Sequence, residues 1–365
     1  MCVKPQTTFS FDKQPLFSYT RFGPEGRSHH IMSIMSDRIR VIQYGLGPIG
    51  RAVARHVVER TGLKLVGGID IDPLKVGKDL GEVIGLGRAL GLVVAESLAQ
   101  VLAQTEADLV LHTTSSYFQM FNDQIVEILE AGLDVVSTAE ELTFPWLAHP
   151  EEAIEINDVA KRIGKTVLAT GVNPGFLMDS LPLTLTAICQ RVDRIDVTRV
   201  INATKRRRPF QAKIGSGMTV ESFRAKMQAS RIGHVGLAES VGMVFDTLGK
   251  KLIRYESNIE PMVADRPIKT EHFEVQTGQV RGLKQAAHAY TDDGMFMSLT
   301  FIAALEEGDD GDTIKITGEP DLEIKLKGTN GDIATVAIAV NAIRRVREAA
   351  PGLVTMRDLP IVTLW

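Results

Sequence analysis

The hexapeptide Gly45-Leu46-Gly47-Pro48-Ile49-Gly50 decides the fold of this chain, because it joins an apolar strand-like run to a helix-like stretch that continues to Glu59. In such a turn the first glycine permits a sharp bend, the second lets a pyrophosphate approach the backbone, and the third lets the helix pack on the strand. The helix N-terminus then offers free N–H groups and the positive end of its dipole to phosphates. The stretch predicts a dinucleotide site formed by Gly45, Gly47, Pro48, Ile49 and Gly50.

A second strand, predicted at residues 64–69, ends at Asp70, twenty residues after Gly50. An acid there accepts hydrogen bonds from the adenosine ribose hydroxyls, and its charge opposes a 2′-phosphate. The pattern therefore predicts NAD as the better cofactor. Because Arg51 and Lys75 lie near in sequence, use of NADP stays open. The alternative reading is a structural glycine turn with a solvated Asp70.

Composition narrows the class of protein. The 365 residues carry a formal net charge of −4, which gives no indication of nucleic-acid binding, and no apolar run is long enough for a transmembrane helix. The two cysteines suit a reducing compartment, so we expect a cytoplasmic protein, and the eight histidines show no metal-ligand spacing, so we expect no metal site. Residues 1–36 do not read as a secretory signal and are interpreted as an N-terminal arm.

Downstream of the glycine turn, strand-like runs alternate with helix-like stretches. The predicted strands are residues 39–44, 64–69, 92–94, 107–112, 134–137 and 166–170, and the predicted helices are residues 48–59, 97–104, 122–131 and 150–163. This alternation predicts an α/β protein with a Rossmann doubly wound parallel sheet. Since ligands bind at the carboxyl ends of such strands, Thr113, Thr114, Ser115 and Asn173 join the predicted cofactor site.

After about residue 180 the pattern changes to a second α+β domain with a more antiparallel sheet. Its predicted strands are residues 192–203, 251–256, 270–276, 295–304, 313–317 and 322–327, with helices at 218–227 and 237–248. A last helix, residues 332–349, is placed back on the first domain. The predicted division is thus 37–178 plus 330–365 for the dinucleotide-binding domain and 179–329 for a substrate and dimerisation domain.

The candidate catalytic residue is Glu140, with Glu141 as the alternate, because both follow the strand Asp134–Ser137 at the ligand end of the sheet. A carboxylate there suits acid/base work on a bound substrate, although acids also favour the start of a helical turn. Residue types alone leave these readings equal.

Several other side chains have two readings each. Phe144, Trp146, Phe176 and Met178 (with Leu177) suit a substrate pocket or, equally, the core. Asn173 either backs the nicotinamide or substrate, or belongs to an Asn-Pro-Gly turn. His234 and Tyr290 read as structural groups. The basic residues 206–208, with Gln211 and Lys213, read as a solvated loop or as a site for a substrate carboxylate.

Resemblance to known dehydrogenase families adds to these interpretations of single residues. In homoserine dehydrogenases a Val-Val-Thr-x-Asn-Lys pattern carries the proton-transferring lysine, and on Val135-Val136-Ser137-Thr138-Ala139-Glu140 that lysine position falls on Glu140. From about residue 37 to 360 the chain instead resembles 2,4-diaminopentanoate dehydrogenases and related amine dehydrogenases, which share the dihydrodipicolinate reductase N-terminal domain. The stretches that carry the resemblance are residues 44–50, 69–82, 135–141, 171–179 and 331–351. Dihydrodipicolinate reductases have a His-His-x-x-Lys motif in the second domain that this sequence lacks.

The resemblance implies an NAD(P)-dependent amine dehydrogenase. Such an enzyme deaminates an amine oxidatively, or aminates a small aldehyde or ketone reductively with ammonia. It also implies a homodimer and a catalytic role for Glu140, whose charge attracts an iminium that a lysine would repel. The alternatives are a 2,4-diaminopentanoate dehydrogenase proper, a homoserine dehydrogenase-type oxidoreductase and a non-catalytic dinucleotide-binding sensor.

Overall fold

The computed structural model describes residues 38–228, 232–308 and 310–365, so the predicted arm at residues 1–36 lies outside the described part of the chain. Residues from Ile39 onward form one compact unit built on two large sheets. The strands of the first sheet are β1 (Ile39–Tyr44), β2 (Leu63–Ile69), β3 (Val94–Ala95), β4 (Leu109–His112), β5 (Asp134–Ser137), β6 (Thr166–Ala169) and β15 (Gly352–Val354). They are all parallel, in the order β15-β6-β5-β4-β1-β2-β3. The predicted Rossmann sheet is confirmed.

Helices cover both faces of this sheet. They are α1 (Pro48–Glu59), α2 (Leu80–Val83), α3 (Leu98–Leu102), α4 (Phe118–Glu130), α5 (Pro150–Ile163) and α10 (Gly331–Glu348). α1 contacts α10, and α4 contacts α5. Neighbouring residues of β1 divide between two core clusters, since Val41 packs with residues of α1 and α10 and Ile42 packs with residues of α4 and α5. Strands buried on both faces explain why β1, β4, β5 and β6 are largely apolar rather than alternating.

The second large sheet is mixed. Its strands are β7 (Arg191–Asn202), β8 (Arg254–Val263), β11 (Val280–Thr291), β12 (Gly294–Ala304), β13 (Gly311–Glu319) and β14 (Leu322–Lys327), in the order β14-β13-β7-β12-β11-β8. β7 and β12 run parallel, and the other neighbours are antiparallel. The accompanying helices are α6 (Ser180–Thr186), α7 (Arg208–Lys213), α8 (Val220–Gln228) and α9 (Leu237–Thr247). One face, with Val197 and Leu299, packs with Val241 and Val244 of α9 into a third core cluster.

Several predicted elements differ from the structure. Within the predicted strand 270–276 only β10 (Glu274–Val275) is a strand, and a turn connects it to its antiparallel partner β9 (Ile268–Lys269). β11 went unpredicted, because its sequence Val-Arg-Gly-Leu-Lys-Gln-Ala-Ala-His-Ala-Tyr-Thr has few β-branched residues and owes its strand conformation to β8 and β12 on either side. The short helices α6 and α7 and the edge strand β15 also went unpredicted. α10, by contrast, has almost the predicted bounds and contacts β5 and β6 of the first sheet.

The described residues contain neither a membrane-spanning helix nor a cluster of metal-ligating side chains. None of the helices there is long and apolar enough to cross a bilayer. Nor do three or more His, Cys, Asp or Glu side chains come together there in an arrangement that would hold a metal ion.

Candidate active site

The glycine turn between β1 and α1 fits a bound dinucleotide phosphate. Gly45 has φ +88°, and a Cβ on Gly50 would lie 1.9 Å from the carbonyl oxygen of Gly45, so neither position accepts a side chain. At Gly47, by contrast, a Cβ would meet nothing within 4 Å. Gly47 begins α1 without a side-chain cap, and the first turn of α1 has no acidic residue. The first N–H groups of α1 are therefore left for an anion.

Asp70 follows β2 and is tied to the same turn. Its Oδ2 accepts the N–H of Leu46 at 2.7 Å and lies 3.0 Å from Nζ of Lys75, while its Oδ1 accepts the N–H of Asp72 at 2.9 Å. Burial acts to raise the pKa of Asp70, but these hydrogen bonds hold it below its usual value. Asp70 is thus a carboxylate whose charge is opposed by Lys75.

The residues after β4 contact the glycine turn and a cavity. Thr113 donates its hydroxyl to the carbonyl of Gly45 at 2.9 Å, and Thr114 donates to Gln124 at 2.7 Å. Ser115 accepts the N–H of Tyr117 at 3.2 Å. Thr113, Thr114 and Ser115 all line the cavity.

This cavity, of about 360 Å³, lies between the carboxyl ends of the first sheet and the second sheet. From the first sheet and α10 it is lined by Ile49, Thr113, Thr114, Ser115, Ser116, Thr138, Glu140, Val172, Asn173, Gly331, Asp332 and Thr335. From the second half of the chain it is lined by Arg199, Ile201, Arg206, Arg207, Pro209, Phe210, Lys213, Ile214, Gly233, His234, Leu283 and Phe301. The structure therefore brings the predicted Ile49, Thr113, Thr114, Ser115, Glu140 and Asn173 to one space.

Glu140 and Glu141 point in different directions. Glu140 opens a short 3-10 turn after β5 and faces the cavity. Burial raises the pKa of Glu140, Lys213 and a hydrogen bond from Ser116 act to lower it, and the charge of Glu141 raises it further. Oε2 of Glu141 instead accepts the N–H of Phe118 at 2.5 Å and lies 3.5 Å from Nε2 of His149. Glu141 thus caps the start of α4.

Asn173 is paired with a histidine from the second half of the chain. Its Nδ2 lies 2.8 Å from Nε2 of His234, whose ring is stacked on Phe301 with centroids 4.8 Å apart. Burial, with the charges of Lys213 and Arg199, lowers the pKa of His234 to about 3. His234 is accordingly neutral. The sequence offered no local signal for a cavity role, because His234 lies 61 residues from Asn173.

The second half of the chain gives the cavity a cationic wall, formed by Arg199, Arg206, Arg207 and Lys213. Arg199 pairs with Asp312 at 3.1 Å, and Arg206 and Arg207 pair with Asp332 at 3.0 and 3.2 Å. Lys213 forms no ion pair with any residue that the structure describes. The prediction of a solvated loop is therefore wrong for Arg206, whose side chain is 12% exposed, whereas that of Arg207 is 36% exposed.

The predicted apolar pocket residues lie elsewhere, which corrects that prediction. Phe144 is buried beside Trp146, with ring centroids 5.2 Å apart, and a Cβ on Gly242 would touch its ring. Met178 is fully buried in the core of the second half, and Phe176 is 37% exposed. None of the four lines the cavity. Tyr290 is also outside and stacks on Arg254.

Comparisons with known proteins agree on one family. Residues 39–139 match the model of the dihydrodipicolinate reductase N-terminus, and residues 176–365 match that of the 2,4-diaminopentanoate dehydrogenase C-terminal domain. A 2,4-diaminopentanoate dehydrogenase of Acetoanaerobium sticklandii is 31% identical over 89% of this chain and 94% of its own length. An amine dehydrogenase of Streptomyces virginiae is 25% identical over 88% of this chain and 96% of its own. The structure of an amine dehydrogenase from Mycobacterium smegmatis superposes with a TM-score of 0.81 at 26% identity, covering 90% of this chain and 98% of that one.

Proposed function

This chain belongs to the 2,4-diaminopentanoate dehydrogenase family, and we propose that Glu140 is its catalytic carboxylate. As a member of that family it is an NAD(P)-dependent oxidoreductase that acts on the CH–NH2 group of an amine. One observation supports this assignment above all. Among the described residues two carboxylates line the cavity, Glu140 and Asp332, and Asp332 is neutralised by Arg206 and Arg207. Glu140 has no arginine partner among the described residues, so its charge is available to a cationic substrate.

The reaction gives Glu140 two tasks. An amine loses hydride from its carbon and becomes an iminium; water adds to that carbon, and ammonia leaves to give a carbonyl. Glu140 first takes the proton from the substrate ammonium and passes it to solvent, so that it is again a carboxylate when it attracts the iminium charge. It then takes a proton from the attacking water and gives it to the amine nitrogen, which leaves as ammonia. A bound nicotinamide supplies the hydride acceptor. Asn173 and His234 are neutral, so they do not repel the iminium. Reductive amination follows the same steps in reverse.

For the cofactor we propose NAD, with NADP as a second possibility. The glycine turn and the uncapped N-terminus of α1 fit the pyrophosphate, and Asp70 suits the ribose hydroxyls. Lys75 lies 3.0 Å from Asp70 and opposes the charge that would repel a 2′-phosphate. Discrimination against NADP therefore depends on this pair rather than on Asp70 alone.

For the substrate we propose an amine that bears a carboxylate. Lys213 lines the cavity without an ion pair among the described residues, and its charge reaches Glu140, as its effect on the pKa of Glu140 indicates. An amino acid would place its ammonium at Glu140 and its carboxylate at Lys213. The related 2,4-diaminopentanoate dehydrogenase is named for a substrate of this kind, whereas a simple amine would leave Lys213 unmatched.

We further propose a homodimer formed through the outer face of the second sheet, in a protein of the cytoplasm, where its two cysteines stay reduced. Thr198, Val200, Ala286, Thr300 and Ile302 share that face and are half-buried and uncharged. A second copy of this chain, with the same face, would cover them. Light scattering on wild type and on Val200→Glu tests this proposal. We expect the wild type to be a dimer and Val200→Glu to dissociate at higher protein concentration than the wild type does. A monomeric wild type would contradict the proposal.

The activity is tested by following NADH oxidation with ammonia and a panel of short aldehydes and ketones, and NAD reduction with the matching amines. We expect ammonia-dependent turnover in one direction and amine-dependent turnover in the other. Ammonia-independent reduction of the carbonyl would point to an alcohol-directed enzyme. Binding of NADH without turnover of any amine or carbonyl would point to a sensor.

A further inference from the structure

A buried carboxylate behind the cavity connects the two halves of the candidate site. Asp179 is fully buried, does not line the cavity, and forms no ion pair with any described residue. Its Oδ2 accepts the N–H of Gly175 and the hydroxyl of Ser240, both at 2.8 Å, and its Oδ1 accepts the N–H of Ser180 at 2.6 Å. The hydroxyl of Ser180 donates a fourth bond to Oδ1 at 3.2 Å. A buried carboxylate is costly unless donors satisfy it, so these four bonds define the position of Asp179.

The bonds of Asp179 join two segments that reach the cavity. Gly175 belongs to the loop after β6 that bears Asn173, and Ser240 lies in the first turn of α9, six residues after His234. Asp179 thus ties the loop to α9 on the side away from the cavity. Asn173 and His234 join the same two segments at the cavity itself, with 2.8 Å between their nitrogens.

The two segments also fit closely between these bonds. Within the loop, Gly175 has φ +118°, and a Cβ there would lie 2.6 Å from the N of Gly171, so the loop itself is tightly folded. Gly236, just before α9, approaches Pro174 so closely that a Cβ would lie 2.4 Å from its Cδ. A shift of α9 relative to the loop would therefore displace Asn173.

We propose that Asp179 and Ser240 are positioning residues for the amine dehydrogenase reaction, which set the Asn173–His234 pair at the cavity through the loop and α9. Neither touches the substrate. Burial raises the pKa of Asp179, while the bonds from Gly175, Ser180 and Ser240 act to lower it. Loss of one of these donors would therefore make the carboxylate less stable in its charged form. The inference rests on the proposed function, because Asn173 and His234 line the cavity in which that reaction is proposed to occur.

A double-mutant cycle between Ser240→Ala and Asn173→Ala tests the proposal. Ser240→Ala removes one hydroxyl without adding bulk, which makes it a milder change than any replacement of Asp179. We expect it to lower kcat/KM about tenfold, since displacement of a group far from the chemistry is costly, and to raise the Kd of NADH severalfold. In the Asn173→Ala background it should change neither quantity.

The control is Thr247→Ala, which removes a hydroxyl from the same helix that donates to Met243 within α9. It should lower the melting temperature by no more than Ser240→Ala does and leave both kinetic quantities unchanged. Equal kinetic losses in the two variants, or a Ser240→Ala effect that persists fully without Asn173, would overturn the positioning role. If wild type turned over no amine, the proposed function would fail, and the cycle on the Kd of NADH would still decide this inference.

Discussion

Glu141 accepts the backbone N–H of Phe118 at 2.5 Å, while its neighbour Glu140 faces the cavity. The 3-10 turn that begins at Glu140 separates the two side chains and gives adjacent carboxylates different roles. Glu141 satisfies an N–H at the start of α4, where negative charge favours the helix dipole. Glu140, which faces the cavity instead, is the carboxylate proposed to act on the substrate.

Replacing Glu140 with Gln should therefore abolish most of the activity. The variant keeps the shape but loses the charge and the base, and we expect kcat to fall by roughly 10²–10⁴-fold in steady-state assays of amine oxidation. The Kd of NADH should stay within about twofold. Glu141→Gln serves as the matched control: it should lower the melting temperature by a few degrees, because a helix cap is weakened, and retain turnover. The reverse pattern would transfer the catalytic role to Glu141, and two active variants would refute a carboxylate mechanism.

Glu239 makes the stability of the protein depend on pH. It is 6% exposed in the first turn of α9, and burial with the charges of Glu141 and Glu140 raises its pKa to about 7 from 4.5. Between these values the unfolded chain has lost the proton that the folded chain keeps, so the free energy of unfolding falls as pH rises through this window. Glu239→Gln should stabilise the protein by about 3 kcal/mol at pH 8 and by nothing at pH 4.

Urea unfolding of wild type and Glu239→Gln at both pH values measures this difference. Glu151→Gln, on an exposed side chain in the first turn of α5, provides the control and should show little pH-dependent gain. A constant difference across the two pH values would show that Glu239 acts through packing instead of charge.

Local sequence predicts the first sheet well and the cavity only in part. The bounds of β1, α1, β5 and α5 follow from apolar runs, glycines and helix-starting prolines next to one another in the chain. No such signal marks Lys213 or His234, because they reach the cavity from the second sheet and its helices, far along the chain. The sequence also does not show that Phe144 and Met178 belong to the core, because an apolar side chain after a strand suits a substrate pocket as well as the core.

The Asp70–Lys75 pair should control the choice of cofactor. With Lys75→Ala, the charge of Asp70 is unopposed and repels a 2′-phosphate more strongly. We expect the ratio of kcat/KM with NADH to that with NADPH to rise about tenfold, which matches the roughly 1.5 kcal/mol typical of a charged hydrogen bond. Lys78→Ala, on an exposed neighbour in the same loop, should leave the ratio unchanged. An unaltered ratio in Lys75→Ala would show that Asp70 discriminates alone.

Lys213 should distinguish amino acids from simple amines. The substrates that test this are 4-aminopentanoate and 2-aminopentane, which share the reacting CH–NH2 group and differ in the carboxylate. Lys213→Met should lower kcat/KM for the acid by about 10- to 100-fold, as expected for loss of a charge-assisted contact of roughly 1.5–3 kcal/mol, and alter it little for the amine at the pH optimum. Since Lys213 also lowers the pKa of Glu140, the variant should shift the acid limb of the pH profile to higher pH with both substrates.

Lys226→Met, on the exposed side of α8, controls for loss of surface charge. Equal losses with both substrates would assign Lys213 to the tuning of Glu140 and remove the argument for an acidic substrate.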